Sequence, residues 1–322
     1  MKIAFSHPRT EHATQLLSGL AVSLAGKDVL SWPLNEAPPT KDIRILLALG
    51  PVRREQLELF SKLELVQTVS AGFESVDVDA ASSLGIWVSN APAGLTGNAA
   101  SVAEFAVMLL IGASRRLAQA LRSESDRTPM ISTSNLALSG KTICIVGLGS
   151  IGRNLVDRLR PFGMAMIATN EDLAHPMEGV TIYHARELKL AVAQADYVVI
   201  CAPGSHQNEN LIDASVLSAM KRGAILVNIA RGRIVDERAL CDALSRGQIS
   251  AVGLDVLRTE PPKSDDPLFQ FPQALITPHI AGDTDVTLRG TLSYLAKVVG
   301  AWDTQKPESV VNQPQKPRKC FS

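Results

Sequence analysis

Short apolar runs alternate with segments of helical spacing through the first hundred residues of the chain. Between the runs, the apolar residues of Glu55–Leu63 and Val78–Leu84 recur at helical intervals. The apolar runs themselves predict four strands: Lys2–Ser6, Ile43–Leu49, Leu65–Ser70 and Ile86–Ser89. This alternation is typical of an α/β unit built on a parallel sheet.

A second alternating unit begins at Lys141. An Ala-rich helix predicted over Ser101–Leu121 and an irregular polar loop predicted over Arg122–Ser139 precede it. Near-continuous apolar runs, as expected for strands buried on both faces, predict six strands: Thr142–Val146, Met164–Thr169, Tyr197–Ala202, Ala224–Ile229, Ala251–Val256 and Ala274–Thr277. The Pro- and Lys-rich segment Gln313–Lys319 is expected to be disordered.

Composition narrows the class of protein. A chain of 322 residues with 46% hydrophobic and 20% charged residues can form two globular domains. Its net charge of zero gives no electrostatic preference for nucleic acid or for an anionic membrane, and no apolar run is long enough to span a bilayer. Cys144 and Cys201 lie inside apolar runs and no C-x-x-C pair occurs, which predicts buried thiols, a cytoplasmic location and no metal site.

A glycine-rich turn follows the first strand of the second unit. Gly147, Gly149 and Gly152 form a G-x-G-x-x-G pattern between an apolar run and a segment with helical spacing. In this context the glycines permit a tight turn, a close approach of a pyrophosphate and close packing of helix on strand. The helix N-terminus then holds the phosphates. The alternative is a plain tight turn between strand and helix.

The residue at the end of the next predicted strand bears on the choice of coenzyme. Asn170 stands about 20 residues after the turn, where an acidic residue would accept hydrogen bonds from the adenosine ribose. An amide can still bond a hydroxyl, but it lacks the charge that repels a 2′-phosphate. Because Glu171 and Asp172 follow and no Lys or Arg stands there, the sequence favours NAD over NADP.

Three polar residues follow three later apolar runs. Arg231 stands in N-I-A-R-G, Glu260 in L-R-T-E-P-P and His279 in T-P-H-I-A-G. A guanidinium can bind a carboxylate through two bonds, an imidazole can transfer a proton near neutral pH, and a carboxylate can fix the imidazole tautomer. Taken singly, each could be a surface salt bridge, a solvated acid or a satisfied loop histidine. Their order after a dinucleotide turn indicates hydride transfer.

Taken together, the motifs resemble those of the D-isomer-specific 2-hydroxyacid dehydrogenases, of the glyoxylate/hydroxypyruvate reductase type. The likeness runs from about residue 1 to residue 312. It is carried by S-A-G-F-E-S-V-D (Ser70–Asp77), N-A-A-S-V-A-E (Asn98–Glu104), V-G-L-G-S-I-G (Val146–Gly152), N-I-A-R-G (Asn228–Gly232), G-L-D-V (Gly253–Val256), E-P and T-P-H-I-A-G (Thr277–Gly282).

The resemblance implies an α/β protein of two doubly wound parallel-sheet domains, with a Rossmann domain inserted into a flavodoxin-like substrate domain. The substrate domain would be discontinuous, comprising residues 1–98 and 283–322, and the dinucleotide-binding domain would comprise residues 99–282. It also implies a homodimer and a nicotinamide coenzyme, with NAD expected and NADP possible.

The resemblance also implies roles for individual residues. Arg231 would bind the substrate carboxylate and carbonyl, Glu260 would orient His279, and His279 would be the acid/base. Ala71 and Gly72 would offer backbone N–H groups to the carboxylate, so that the substrate-binding set is Ala71, Gly72, Arg231 and His279. Asp255 would face the nicotinamide amide. The full coenzyme-binding set would be Gly147, Gly149, Ser150, Ile151, Gly152, Asn170, Cys201, Ala202, Pro203, Asn208, Ile229, Ala230, Arg231, Asp255, His279 and Gly282.

Three departures from the family pattern are visible. Asn170 stands where NAD-preferring members usually carry Asp, and Gly204–Asn210 replaces the usual Thr-rich turn. Arg127–Asn135 lacks the Gly-Trp that many members carry in the dimer-contact loop.

The sequence therefore predicts an oxidoreductase that transfers a hydride between NAD(P)H and a small 2-oxo acid to give a D-2-hydroxy acid. No nucleic acid or membrane partner is expected. One alternative is a dinucleotide-sensing, corepressor-like binding protein of the same fold, which a turnover assay and a pull-down would distinguish. The other is a formate- or phosphite-type dehydrogenase of the same fold, which a formate assay would distinguish.

Overall fold

The computed structural model describes residues 1–124 and 135–321. Contacts between Cα atoms divide the chain into two units. Unit 1 is Met1–Asn98 with Thr284–Ser322, and unit 2 is Ala99–Asp283. Each unit is built around one parallel sheet with helices, which confirms the predicted α/β class. That the units act as substrate and dinucleotide-binding domains stays a prediction.

The elements of the chain follow the alternation of the sequence. The first part of unit 1 contains β1 (Lys2–His7), α1 (Glu11–Ser23), β2 (Asp28–Pro33), β3 (Ile45–Ala48), α2 (Arg54–Glu58), β4 (Leu65–Thr68), α3 (Val78–Ser83) and β5 (Trp87–Ser89). Next come α4 (Asn98–Ser114), α5 (Leu117–Glu124), β6 (Thr142–Val146), α6 (Ser150–Leu159), β7 (Ala165–Asn170), β8 (Val180–His184), α7 (Leu188–Val192), β9 (Tyr197–Ile200), α8 (Ala214–Ala219), β10 (Ala224–Asn228), α9 (Glu237–Ser245), β11 (Ile249–Leu254), β12 (Ala274–Ile276) and α10 (Asp285–Ala301). All ten predicted strands are present, with ends that differ by at most two residues.

The sheet of unit 1 has the strand order β2-β1-β3-β4-β5 and is parallel throughout. Successive residues of β1 face opposite sides, because side chains alternate along a strand. Phe5 packs with Leu16 and Leu295, from α1 and α10, whereas Ala4 belongs to the cluster that contains Leu57 of α2. The sheet is therefore buried on both faces.

The sheet of unit 2 has the order β12-β11-β10-β9-β6-β7-β8, and all its pairings are parallel. Buried apolar residues cover both faces, with α4 on one side and α8 and α9 on the other. Strand β6 lies within the sheet, next to β9, at the point where the strand order reverses. In open α/β sheets, ligands bind beside the carboxyl ends of the strands at that point.

Three expectations for local structure were wrong or incomplete. Strands β2 and β8 were not predicted because they are edge strands with mostly half-exposed residues, so they lack long apolar runs. The helix predicted over Ser101–Leu121 is two helices, α4 and α5, separated at Arg116, whose φ of 50° cannot continue a right-handed helix. Residues 122–124 of the predicted irregular loop are helical.

Residues 127–134 of the predicted dimer-contact loop lie outside the described residues.

The expectation that Gln313–Lys319 is disordered was also wrong. The Arg318 guanidinium donates to the backbone carbonyls of Phe60 and Leu63, and the Trp87 indole N–H donates to the Lys319 carbonyl over 2.9 Å. Phe321 then packs edge-on against the Trp87 and Trp302 rings. The segment is ordered by bonds to main-chain groups of distant residues, which its Pro- and Lys-rich composition does not show.

Candidate active site

The glycine-rich turn of unit 2 contains three glycines with different physical requirements. Gly147 has a φ of 99°, and a Cβ there would lie 2.7 Å from the backbone nitrogen of Ala202. A Cβ at Gly152 would lie 2.3 Å from the carbonyl oxygen of Gly147. These two glycines are therefore required by the packing of the protein itself. Around Gly149, by contrast, no described atom lies within 4 Å of a Cβ, so this glycine leaves open space beside the turn.

The open space lies at the N-terminus of α6. Gly149 is the N-cap of this ten-residue helix, and no side chain caps it. Because the first turn of a helix has no internal acceptors for its N–H groups, those of Ser150 and Ile151 have no acceptor within α6. Helix N-termini of this kind bind phosphate. The turn therefore fits the pyrophosphate of a dinucleotide.

Asn170 braces the same turn from the end of β7. Its Oδ1 accepts the Leu148 N–H over 3.2 Å, and its Nδ2 donates to the carbonyl of Asp172 over 2.7 Å. Each acidic neighbour of Asn170 faces a histidine, with Glu171 3.7 Å from His184 and Asp172 3.8 Å from His175. The side chain predicted to read the ribose is therefore also a structural link between the turn and the loop after β7.

The segment after β9 lies beside the glycine turn. Burial raises the pKa of the Cys201 thiol to about 12, so this cysteine is a packing residue in its neutral form. Gly204–Asn210, the turn that departs from the family pattern, contains a short 3₁₀ helix, and Asn208 in it donates to the Pro203 carbonyl over 2.8 Å. The backbone of Ala202 closes over Gly147. Cys201 and Ala202 thus lie against the turn, and Asn208 is bonded to the adjoining Pro203.

Arg231 leaves the sheet at the end of β10 through a turn that Asn228 organises. The Asn228 side chain accepts the Ala230 N–H over 3.0 Å and donates to the Arg231 carbonyl over 2.9 Å, while being 1% exposed. Ile229 and Ala230 are buried, and Arg231 Nη1 donates to the Ala230 carbonyl over 2.8 Å. Sequence reasoning missed Asn228. Its signal was an amide at the end of an otherwise apolar buried strand.

Glu260 and His279 are brought together although they are 19 residues apart in the chain. His279 Nδ1 lies 2.7 Å from Glu260 Oε2, and Glu260 Oε1 accepts the Leu257 N–H over 3.0 Å. Both carboxylate oxygens are therefore engaged, which fixes the plane of the carboxylate. The imidazole keeps 46% of its side-chain surface exposed. Its second nitrogen, Nε2, can then exchange a proton with a molecule bound beside it.

The charges around this pair set its protonation. The hydrogen bond with Glu260 raises the pKa of His279, and burial only partly opposes this. The Glu260 and Asp255 charges add to the increase, whereas the Arg231 charge lowers it. Burial favours a higher pKa for Glu260, but the bond and charge of His279, with the Leu257 N–H and Arg231, outweigh it and hold the pKa below its usual value. Both shifts favour the charged forms, carboxylate and imidazolium.

Asp255 organises the loop that carries His279. One carboxylate oxygen of Asp255 accepts the Thr277 hydroxyl and the Ile280 N–H over 2.7 and 2.9 Å, and the other accepts the Ala281 N–H over 2.9 Å. His279 itself has a φ of 56°, in the left-handed region, which costs a non-glycine residue about 1–2 kcal/mol. Strained backbone of this kind is common at functional sites. The predicted contact of Asp255 with the nicotinamide amide stays a prediction.

Arg258 ties the loop of Glu260 to two other segments. Its guanidinium donates to Glu209 over 2.7 Å and to Asn210 over 2.8 Å, and its backbone N–H donates to Glu237 over 2.6 Å. Glu209 and Asn210 end the turn that departs from the family pattern. This link could not be predicted from the sequence pattern, because the partners lie 21 to 49 residues away.

The remaining predicted site residues, Gly282, Ala71 and Gly72, lie in turns and loops. Gly282 lies in the turn that follows Ala281, and Ala71 and Gly72 follow β4 in unit 1, where they are half-buried. Within residues 1–124 and 135–321, no group of three or more His, Cys, Asp and Glu side chains is placed to hold a metal ion. No helix in this part of the chain is long and apolar enough to cross a membrane.

The comparisons with known proteins identify the family. A sequence profile described as "D-isomer specific 2-hydroxyacid dehydrogenase, NAD binding domain" matches residues 107–281. The chain belongs to this family. The match covers the glycine turn, Arg231, Glu260 and His279, and it confirms the expected cofactor class, a nicotinamide dinucleotide.

Relatives and solved structures agree with this assignment. The chain is 37% identical over 252 residues to D-3-phosphoglycerate dehydrogenase of Mycobacterium tuberculosis, covering 78% of this chain and 47% of that protein. It is 31% identical over 295 residues to glyoxylate reductase of Korarchaeum cryptofilum, covering 87% of this chain and 88% of that protein. The structure of the NADPH-dependent glyoxylate/hydroxypyruvate reductase of Sinorhizobium meliloti with citrate matches with a TM-score of 0.85 and 26% sequence identity. The match covers 98% of this chain and 99% of that chain. The chain spans about half the length of the phosphoglycerate dehydrogenases.

Proposed function

We propose that the protein is an NAD(P)-dependent D-2-hydroxyacid dehydrogenase that interconverts a small 2-oxo acid and its D-2-hydroxy acid. The observation that carries this proposal is the 2.7 Å bond between His279 and Glu260, with Arg231 near enough for its charge to act on both. These groups stand at the carboxyl edge of the sheet that also carries the glycine turn. Together they supply an acid/base, its orienting carboxylate and a guanidinium.

Each side chain has a definite part in the proposed reaction. Arg231 binds the carboxylate and carbonyl of the oxo acid and fixes its plane, because a guanidinium forms paired bonds in a set geometry. The bound coenzyme supplies hydride transfer at C2. Protonated His279 gives its proton to the developing alkoxide, and Glu260 stabilises the imidazolium and holds its orientation. In the oxidative direction His279 is the base.

Two further sets of residues belong to the proposal. Ala71 and Gly72 offer backbone N–H groups to the substrate carboxylate. The coenzyme is held by the glycine turn with Ser150 and Ile151, by Asn170 at the ribose, and by the segments after β9, β10 and β11. Support comes from the open space at Gly149 and from the uncapped helix N-terminus. NAD is proposed as the preferred coenzyme, since Glu171 and Asp172 flank Asn170.

The two alternative functions are not favoured. The named relatives are D-3-phosphoglycerate dehydrogenases and glyoxylate reductases, which favours a 2-hydroxyacid over formate or phosphite. The same relatives are enzymes by name, which favours catalysis over a corepressor-like binding role. Turnover with a 2-oxo acid would decide against both alternatives at once.

We also propose that the protein is a cytoplasmic homodimer. Apolar side chains remain exposed on α4 and α5, at Met108, Ile111, Leu117 and Leu121, which are 38–60% exposed. Large exposed apolar patches often mark protein interfaces. All four cysteines are free thiols, in keeping with a reducing compartment. Sedimentation of the purified chain tests the dimer, and a single monomeric species would contradict it.

The test of the function is a substrate panel with both coenzymes. Each assay contains NADH or NADPH and one oxo acid: glyoxylate, hydroxypyruvate, pyruvate, phenylpyruvate or 2-oxoisocaproate. Oxidation of the coenzyme is followed at one fixed pH and salt concentration at which the protein is stable. We expect at least one oxo acid to be reduced, with a D-configured product on chiral chromatography. Formate with NAD is the control reaction. Turnover of formate alone, or an L-configured product, would contradict the proposal.

A further inference from the structure

The loop after β4, Ser70–Phe73, has three successive carbonyl groups that each accept a side-chain hydrogen bond. Thr68 Oγ1 donates to the Ser70 carbonyl over 2.8 Å, and Asn90 Nδ2 donates to the Ala71 carbonyl over 2.6 Å. Ser70 Oγ donates to the Gly72 carbonyl over 3.1 Å. All three donors are neutral. They hold the loop without placing a charge beside it.

Fixing a carbonyl also fixes the next N–H group. The peptide unit is planar and trans, so that the C=O of one residue and the N–H of the next point in opposite directions. The Asn90 bond to the Ala71 carbonyl therefore sets the direction of the Gly72 N–H. The Thr68 bond to Ser70 does the same for the Ala71 N–H. Among the residues that the structure describes, neither N–H group has an acceptor.

Asn90 is itself held by the C-terminal part of the chain. The Ser309 hydroxyl donates to Asn90 Oδ1, which leaves the Asn90 amide nitrogen facing Ala71. The Ser309 carbonyl accepts the Asn90 N–H over 3.2 Å and the Ser89 hydroxyl over 2.7 Å. The side-chain oxygen and the backbone of Asn90 are thus both tied to one residue, 219 positions further along the chain.

The segment that carries Ser309 is anchored along β5, an edge strand of the unit 1 sheet. Ser89 and Val310 form an antiparallel bridge, and the Val311 N–H donates to the Val88 carbonyl over 2.8 Å. Asn312 accepts the Val88 N–H over 2.7 Å. An exposed edge invites pairing with other chains, and here the C-terminal segment covers it. Ser309 is therefore placed by main-chain pairing rather than by a mobile end.

We propose that Asn90 and Ser309 are positioning residues for substrate binding, with Asn90 orienting the Gly72 N–H toward the substrate carboxylate and Ser309 orienting Asn90. This inference rests on the proposed function, in which Ala71 and Gly72 bind that carboxylate. Preorganised backbone N–H groups bind anions well because no reorganisation is needed when the ligand arrives. The segment Ser309–Asn312, which pairs with β5, then has a functional connection.

The test compares substrate binding in four variants of the full-length chain. Asn90→Ala removes the donor to Ala71, and Ser309→Ala removes the hydroxyl that holds Asn90, whereas Ser309→Thr keeps a hydroxyl. Arg318→Ala is the matched control, since it weakens the same segment at the Phe60 and Leu63 carbonyls, away from Asn90. The readouts are the KM of the best oxo acid, the inhibition constant of oxamate with NADH, and the Kd of NADH from fluorescence.

For Asn90→Ala we expect kcat/KM to fall and the oxamate inhibition constant to rise by about 10- to 100-fold, the effect of one hydrogen bond to a charged group. Ser309→Ala should show a smaller loss in the same direction, restored in Ser309→Thr. The Kd of NADH should stay unchanged in all variants. Arg318→Ala should lower Tm but leave the KM and the oxamate constant unchanged.

The outcomes separate this inference from the proposed function. If the wild-type chain reduces an oxo acid but Asn90→Ala and Ser309→Ala bind oxamate normally, the positioning role is wrong and the function stands. If Arg318→Ala raises the oxamate constant as much as Ser309→Ala does, the segment acts only through stability, and the inference is again overturned. If the wild type reduces no 2-oxo acid, the proposed function itself fails. Should Asn90→Ala not fold, the comparison of Ser309→Ala with Ser309→Thr decides alone.

Discussion

The carboxyl edges of the two sheets are built from different chemistry. In unit 2, three ionisable side chains follow β10, β11 and β12, and they act on one another through charge. In unit 1, the loops after β4 and β5 contain neutral hydroxyl and amide groups that hold backbone carbonyls in place. In the proposed function, the first edge acts through its side chains. The second acts through the direction of its main-chain N–H groups.

This difference has two physical consequences. Charged groups that shift each other's pKa make the unit 2 edge sensitive to pH. The donors to the Ser70, Ala71 and Gly72 carbonyls are neutral hydroxyl and amide groups, so these bonds themselves do not titrate between the pKa values of acids and lysines. We call the unit 2 edge with Arg231, Glu260 and His279 the charged edge, and the unit 1 edge with Ala71, Gly72 and Asn90 the neutral edge. We expect substitutions at the charged edge to change kcat and its pH dependence. Substitutions at the neutral edge should change the affinity for the oxo acid.

The largest effect is expected from His279→Ala at the charged edge. Removal of the acid/base should lower kcat for reduction by roughly 10²–10⁴-fold, because proton transfer to the alkoxide then depends on water. Coenzyme binding should be nearly intact. Steady-state kinetics and NADH fluorescence titration measure both quantities. Near wild-type turnover in this variant would show that the side chain at this edge is not the proton donor.

A second test asks whether charge or geometry matters at Arg231. Arg231→Lys keeps the charge but loses the planar fork, so misorientation of the oxo acid should lower kcat/KM by about 10²-fold. Arg238→Lys, on the exposed side of α9, is the matched control and should be neutral. Kinetics at fixed NADH give the comparison. Equal kcat/KM values for the two variants would show that Arg231 does not orient the oxo acid and is an ordinary surface residue.

The pH dependence of the charged edge follows from the Glu260–His279 pair. Because Glu260 raises the pKa of His279, reduction should persist above the usual imidazole value of 6.5 and decline as the pH rises through the raised pKa. Oxidation needs neutral imidazole and should increase over the same range. In Glu260→Gln the raising charge is lost, so both limbs should move to lower pH, and kcat for reduction near pH 7 should fall about tenfold or more.

The measurement for this prediction is kcat against pH in both directions. Glu104→Gln serves as the control, since Glu104 pairs with Arg158 rather than with a histidine. Its profile should match the wild type. A Glu260→Gln profile with unchanged limbs would mean that another group sets the observed pKa. The neutral edge offers a further contrast, because Asn90→Ala should leave both limbs where they are.

The sequence predicted the charged edge much better than the neutral one. Arg231, Glu260 and His279 are rare polar residues after long apolar runs, so their position on the sheet follows from the strand pattern alone. The structure adds what spacing cannot give, namely the 2.7 Å contact between two of them and the braces from Asn228 and Arg258. Such braces depend on which loops meet, and that is a tertiary property.

The neutral edge was only partly visible in the sequence. The family resemblance pointed to Ala71 and Gly72, but nothing marked Asn90 or Ser309, because serines and asparagines are common in loops for many reasons. The C-terminal segment was misread for a related cause. The composition of Gln313–Lys319 suggests disorder, yet Arg318 donates to the carbonyls of Phe60 and Leu63, which precede it by more than two hundred residues. Composition describes a segment alone and not its partners.

The smallest expected effect is on the choice of coenzyme and comes from substitutions at Asn170. This neutral amide lies in unit 2, whose charged edge is built from ionisable side chains. Its amide bonds Leu148 and Asp172, so it braces the glycine turn while offering only weak repulsion to a 2′-phosphate. Glu171 and Asp172 add repulsion, but they are 82% and 61% exposed and therefore screened by salt. We expect NADH to be preferred over NADPH by a modest margin, which Asn170→Asp should widen and Asn170→Arg should narrow or reverse, since guanidinium pairs well with phosphate. The measurement is kcat/KM for both coenzymes at one fixed oxo acid. A strong wild-type preference for NADPH would place the choice of coenzyme outside this strand end and leave Asn170 as a brace alone.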